Sequence, residues 1–71
     1  MTALAIELTR RERDVLAQFA SGRTKRQAAD ALGITRPSVS TYRKALRRKV
    51  GDAAMADLPA LAARLGVEVA R

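Results

Sequence analysis

The segment Thr24-Lys25-Arg26-Gln27-Ala28-Ala29-Asp30-Ala31-Leu32-Gly33-Ile34-Thr35-Arg36-Pro37 holds a short helix with its start and stop, followed by the start of the next. Thr24 precedes Gln27 by three positions, the spacing of a capping box, in which the hydroxyl accepts from the Gln27 amide while the Gln27 side chain reaches back. Ala28, Ala29 and Leu32 supply the apolar positions, and Gly33 suits a left-handed cap. A helix over 25–32 follows. Gly33-Ile34-Thr35 is then a turn, with Thr35 or Arg36 as the next N-cap and Pro37 in the first turn of a third helix.

Upstream, Thr9-Arg10-Arg11-Glu12 repeats the capping-box spacing, and Val15, Leu16, Phe19 and Ala20 follow on one helical face until Ser21-Gly22. The first helix should span 10–20, with Phe19 in the core. Two short helices joined by a glycine-containing turn, 25–32 and 37–50, form a helix-turn-helix. Downstream, Pro59 forbids one continuous helix from Asp52, because in an interior turn it removes a hydrogen bond and clashes. Asp57 as N-cap with Pro59 in the first turn resolves the conflict, and Leu58, Leu61, Ala62 and Leu65 then make a stripe ending at Gly66. Val67-Glu68-Val69 alternates, but three residues at a terminus do not establish a strand. The expectation is an all-α domain of four helices over residues 9–71, preceded by an N-terminal arm over residues 1–8.

The third helix divides into faces. At about 100° per residue, Val39, Tyr42, Leu46 and Val50 fall within about 80° and form the buried stripe. The opposite arc carries Ser40, Thr41, Lys44, Arg47 and Arg48, a polar and cationic surface of the width a groove admits. Tyr42 belongs to the core side, and with Phe19 the only other aromatic, single-stranded nucleic acid lacks its stacking platform.

Composition limits the functions available. The chain has 71 residues, room for one domain, and contains neither Cys nor His, which removes disulfides, thiol nucleophiles, imidazole bases and cysteine-based zinc sites. No cofactor or metal is expected. Glu12 and Asp14 sit in the first turn of the first helix, where acids complement the dipole, without a pocket or a second catalytic partner, so the reading is not an enzyme. Without a signal peptide or a run of about 18 apolar residues, a soluble, cytoplasmic protein with no membrane association is expected. Net charge is +7, and Arg23 to Lys49 carries nine bases against the single acid Asp30. A block of this kind marks an anionic partner.

At these residues the chain resembles the LuxR-type helix-turn-helix domain of bacterial response regulators and quorum-sensing receptors. Leu8-Thr9-Arg10-Arg11-Glu12 matches the family's opening Leu-Thr-x-Arg-Glu. Gly22, Ala29, Leu32, Ile34, Val39, Lys49, Gly51, Ala62 and Gly66 fall at the family's spacing without insertion, so the resemblance runs from Leu8 to near Val67. It implies double-stranded DNA as the partner, Ser40, Thr41 and Lys44 at the base-reading positions, and dimerisation through the last helix by Leu58, Leu61, Ala62 and Leu65. Where the family reads Thr-Val-Lys-x-His, this chain has Ser38-Val39-Ser40-Thr41-Tyr42, so Ser40 lacks the usual long cation. Thr24-Lys25 replaces the family's Ser-Asn, and Ala54-Met55 its Asn-Arg at the start of the fourth helix. With only seven residues before Leu8, the chain resembles members without a sensor domain, whose control would come from abundance, a partner or dimerisation.

The function expected is sequence-specific regulation of transcription by a homodimer on DNA, with the helix from Pro37 to Val50 in the major groove. Thr24, Lys25, Arg26, Arg36, Ser38, Arg47 and Arg48 are assigned to phosphates, because they flank the segment that lies deepest or open a helix whose amides suit an anion. The rival readings are a protein-interaction module that docks an acidic partner of the transcription machinery, and an accessory DNA-bending or recombination factor. A membrane-surface peptide is weakest, since the apolar stripe lacks bulky interfacial aromatics.

Overall fold

The computed structural model describes residues 7 to 68 of the chain. Its helices are α1 (Arg10–Ala20), α2 (Lys25–Leu32), α3 (Arg36–Val50), α4 (Asp52–Met55) and α5 (Leu58–Arg64). The architecture is all-α, with no strand among the described residues. Of the arm expected over residues 1–8, only Glu7 and Leu8 fall within them; Met1 to Ile6 lie outside, as does Val69 of the alternating terminal triplet.

Local chemistry accounts for the boundaries. Both capping boxes form: Thr9 Oγ1 accepts from the Glu12 amide at 3.2 Å and Glu12 Oε1 from the Thr9 amide at 2.9 Å, and the Thr24–Gln27 pair repeats this at 3.1 and 2.8 Å. Gly33, at φ +68°, lets the Ile34 amide donate to the Ala29 carbonyl at 3.0 Å and the Gly33 amide to Asp30 at 3.3 Å, a Schellman ending that a residue with a Cβ adopts only under strain. Thr35, not Arg36, caps α3: its hydroxyl accepts from the Ser38 amide at 3.2 Å, whereas an arginine side chain has no acceptor to offer. Asp57 caps α5 through the Ala60 amide at 3.1 Å, with Pro59 in the first turn.

The single-turn α4 is one helix more than the four expected. Gly51, at φ +89°, breaks the chain after α3, and Asp52 then opens the short turn with an acid at the positive end of its dipole. Four residues are too few to display a periodic stripe, so nothing in the pattern announces it.

Two apolar clusters share α1 and α3. Val15, Ala28, Ala29 and Val39, with Phe19, Leu32, Ile34 and Tyr42 around them, fasten α2 to α1 and α3. Leu16, Ala20, Leu46, Leu61 and Ala62, with Leu8, Val50, Met55, Leu58 and Leu65 at the margin, fasten α5 to the same two helices. Neighbouring residues of α1 thus serve different clusters, and the two ends of α3 are anchored separately. Ala28 has no exposed surface, so its small side chain sets how closely α2 lies on the other helices. Ala28→Leu should cost about 1–2 kcal/mol of stability through overpacking, read by urea unfolding; an unchanged midpoint would mean that the contact has slack.

Candidate nucleic-acid interface

The outward face of α3 follows from how its inward face is held. Val39 and Leu46 are buried, Tyr42 and Val50 half-buried, and they hold the helix to both clusters. Thr41, Lys44, Arg47 and Arg48 are left exposed, with Ser40 half-buried at the edge. The expected division of the helix into faces is therefore present.

Several assigned side chains already have local partners. Thr41 Oγ1 donates to the Pro37 carbonyl at 3.1 Å, which spends its proton and leaves acceptor capacity and a methyl group. Ser38 Oγ accepts from Thr35 Oγ1 at 3.0 Å as part of the α3 cap. Arg47 Nε lies 3.5 Å from Asp52 Oδ1 in an exposed pair that water screens and a stronger anion can displace. The Thr24–Gln27 box satisfies two of the four amides at the start of α2, leaving those of Lys25 and Arg26 in its first turn without an intrahelical acceptor.

Between α2 and α3 lies a concavity of about 130 Å³ lined by Lys25, Ser40, Arg43, Lys44 and Arg47. Folding thus brings together four of the assigned residues and adds Arg43, which the sequence reading left unassigned. Arg26, Arg36, Arg48, Thr24, Ser38 and Thr41 do not line it. The Arg43 guanidinium carbon sits 5.4 Å from the centre of the Phe19 ring, a cation–π distance. Phe19, expected in the core, is accordingly half-buried at its edge. A signal was available: Arg43 lies about 40° from Val39 around the helix, where an apolar residue would be ordinary.

The carboxylates at the start of α1 hold the scaffold. Glu12 is 4 % exposed and its Oε1 accepts from Lys49 Nζ at 2.7 Å. Lys49 Nζ also donates to the Glu7 carbonyl at 3.0 Å, tying the C-terminal turn of α3 to the chain entering α1. Burial pushes the Glu12 carboxyl up, but the hydrogen bonds and charge of Lys49 and the amide and hydroxyl of Thr9 outweigh it, and the group ends below its ordinary value of 4.5. Only Glu12 lies in the first turn; Asp14, expected there too, sits beyond it and pairs with Arg11 at 3.4 Å. The two acids thus have separate cations. The Glu12–Lys49 pair gives no sign in the sequence because thirty-seven positions separate its members, and periodicity reports only local neighbours.

On α5, Leu61 and Ala62 are buried in the chain's own core, so their side chains offer no surface to a second copy; Leu58 and Leu65 are half-buried at its margin. Among the described residues no group of three or more potential metal-binding side chains occurs, and no helix is long and apolar enough to cross a membrane.

A basic helix-turn-helix held by flanking helices defines the class of small helical DNA-binding domains. Residues 7–61 match the family model described as bacterial regulatory proteins, luxR family, and the chain belongs to that family. It is also similar to the transcriptional regulatory protein MctR of Rhizobium johnstonii, at 43 % identity over 51 residues, which is 72 % of this chain and 24 % of that protein. The chain therefore spans about a quarter of the length of this curated relative. No solved structure matches the chain.

Proposed function

We propose that the chain is a sequence-specific, double-stranded DNA-binding regulator of transcription that lays α3 in the major groove. The observation that carries this reading is the exposed face of α3 continuing into a concavity whose lining includes four cations and no acid. Phosphate neutralisation by such side chains supplies affinity, and the side chains at the front of the helix select bases. Lys44 donates to guanine O6 or N7, and the Thr41 methyl group packs on thymine. Lys25, Arg26, Arg36, Arg47 and Arg48, with the cap residues Thr24 and Ser38, face the backbone. Residues 9–71 form the DNA-binding domain and 1–8 its arm, and the protein works in the cytoplasm, where bacterial DNA lies.

Two copies bind a two-fold operator, as helix-turn-helix dimers do. They meet through α5, where Leu58 and Leu65 remain partly open at the margin of the core cluster.

Binding to duplex DNA should fall on the order of a thousandfold between about 50 and 200 mM salt, the behaviour of a protein that neutralises six or more phosphates. Lys44→Ala should cost about 1–3 kcal/mol on the preferred sequence and relax selection at one position, whereas Arg48→Ala should weaken all sequences alike. Salt-insensitive or absent binding sinks the proposal. Full DNA binding by both variants with loss of an acidic protein partner would establish an interaction module instead.

A further inference from the structure

We propose that the concavity between α2 and α3 seats one phosphodiester group of the DNA backbone, and that Arg43, braced on the Phe19 ring, is its principal ligand. The inference rests on the DNA-binding reading and adds a residue which that reading does not use. It also moves Ser40 from the bases to the wall of this phosphate seat.

Three observations converge. The lining residues Arg43, Arg47 and Ser40 lie between about 40° and 100° around α3 from Val39, with Lys44 at about 140° on the edge of the outward front. They occupy the flank between the buried stripe and the outward front. A helix in the major groove meets base edges at its front and phosphates along its flanks, and the preceding helix, here contributing Lys25, crosses the backbone on that side.

Arg43 is also placed without an anion to hold it. Among the described residues no carboxylate pairs with it, and its Nε is buried with no hydrogen-bond partner. The Phe19 ring lies 5.4 Å from the guanidinium carbon and braces it instead. A planar fork held over an aromatic ring is better placed for bidentate recognition of phosphate than a flexible ammonium.

Ser40 provides the third. Its short side chain keeps the concavity open, with a hydroxyl as donor on the wall. A long side chain at the same position would project into the space between Lys25 and Arg43.

The test compares the intact protein with Arg43→Met and Ser40→Met, measuring affinity for a preferred and a random duplex across a salt series, with thermal unfolding of each variant alongside. Loss of one phosphate contact lowers the slope of log affinity against log salt by about 0.9. Arg43→Met should show this decrement on both duplexes, leaving their ratio unchanged. Ser40→Met, which removes no charge, should show it too, because the plug excludes the phosphate. An unchanged slope in Arg43→Met, or an unchanged slope with altered sequence preference in Ser40→Met, overturns the proposal. If Arg43→Met fails to fold, Ser40→Met decides alone, since it leaves the Phe19 contact in place. Unmodified protein without salt-dependent duplex binding sinks the DNA reading itself; a normal slope that neither variant changes sinks only the phosphate seat.

Discussion

Leu46→Ala should lower the folding stability by about 2–5 kcal/mol, the cost of removing a leucine from a close-packed core and leaving a cavity. Leu46 is 1 % exposed and sits where α3 meets Leu16 and Ala20 of α1 and Leu61 and Ala62 of α5. A domain of this length has about 4–10 kcal/mol in all, so the substitution removes much of it. Urea unfolding followed by circular dichroism should show a lower midpoint with an unchanged slope, and no shift would mean that α5 is not docked as described. The outward face of α3 is untouched. At a temperature where the variant is folded, its salt dependence on duplex DNA should match that of the unmodified protein.

Lys49→Met should cost about 2–3 kcal/mol. It leaves the buried Glu12 carboxylate without its cation, and removing one member of a buried pair is more damaging than replacing both. The figure lies at or below the low end for such pairs because the Lys49 side chain is 37 % exposed, so water partly compensates. The pH dependence gives the sharper readout. A carboxyl whose folded value lies below its unfolded one contributes stability that is whole above about 4.5 and lost as pH falls through the folded value. The unmodified protein should therefore weaken on the acid side of 4.5. In Lys49→Met burial still pushes Glu12 up while only Thr9 opposes it, so that acid-side loss should shrink. An equal loss in both proteins would show that the pair does not control Glu12.

Much of the fold was legible because its determinants are local. Thr9 with Glu12, Thr24 with Gln27, Gly33, and Asp57 with Pro59 each act within a few residues, and each appears where the spacing placed it. The α3 start could not be resolved by proline alone; it took the acceptor chemistry of Thr35 to decide it. The single turn at Asp52–Met55 carried no periodic signal. Of the residues lining the concavity, Ser40, Lys44 and Arg47 were legible as neighbours from helix geometry, because one helix presents them together. The placement of Arg43 was not, since it depends on Phe19, which lies on another helix.

By itself the sequence determined four of the five helices, the caps of α1, α2 and α5, the basic stretch from Arg23 to Lys49 and the family register, all properties of neighbours along the chain. Tertiary structure alone decided which distant groups share a space. Lys49 closes on Glu12, Lys25 reaches the flank of α3, Arg43 lies on Phe19, and Leu61 and Ala62 turn inward. The reason is physical: a helical pattern specifies which face is apolar, but what that face meets depends on how closely the small Ala28 and Ala29 let the helices approach.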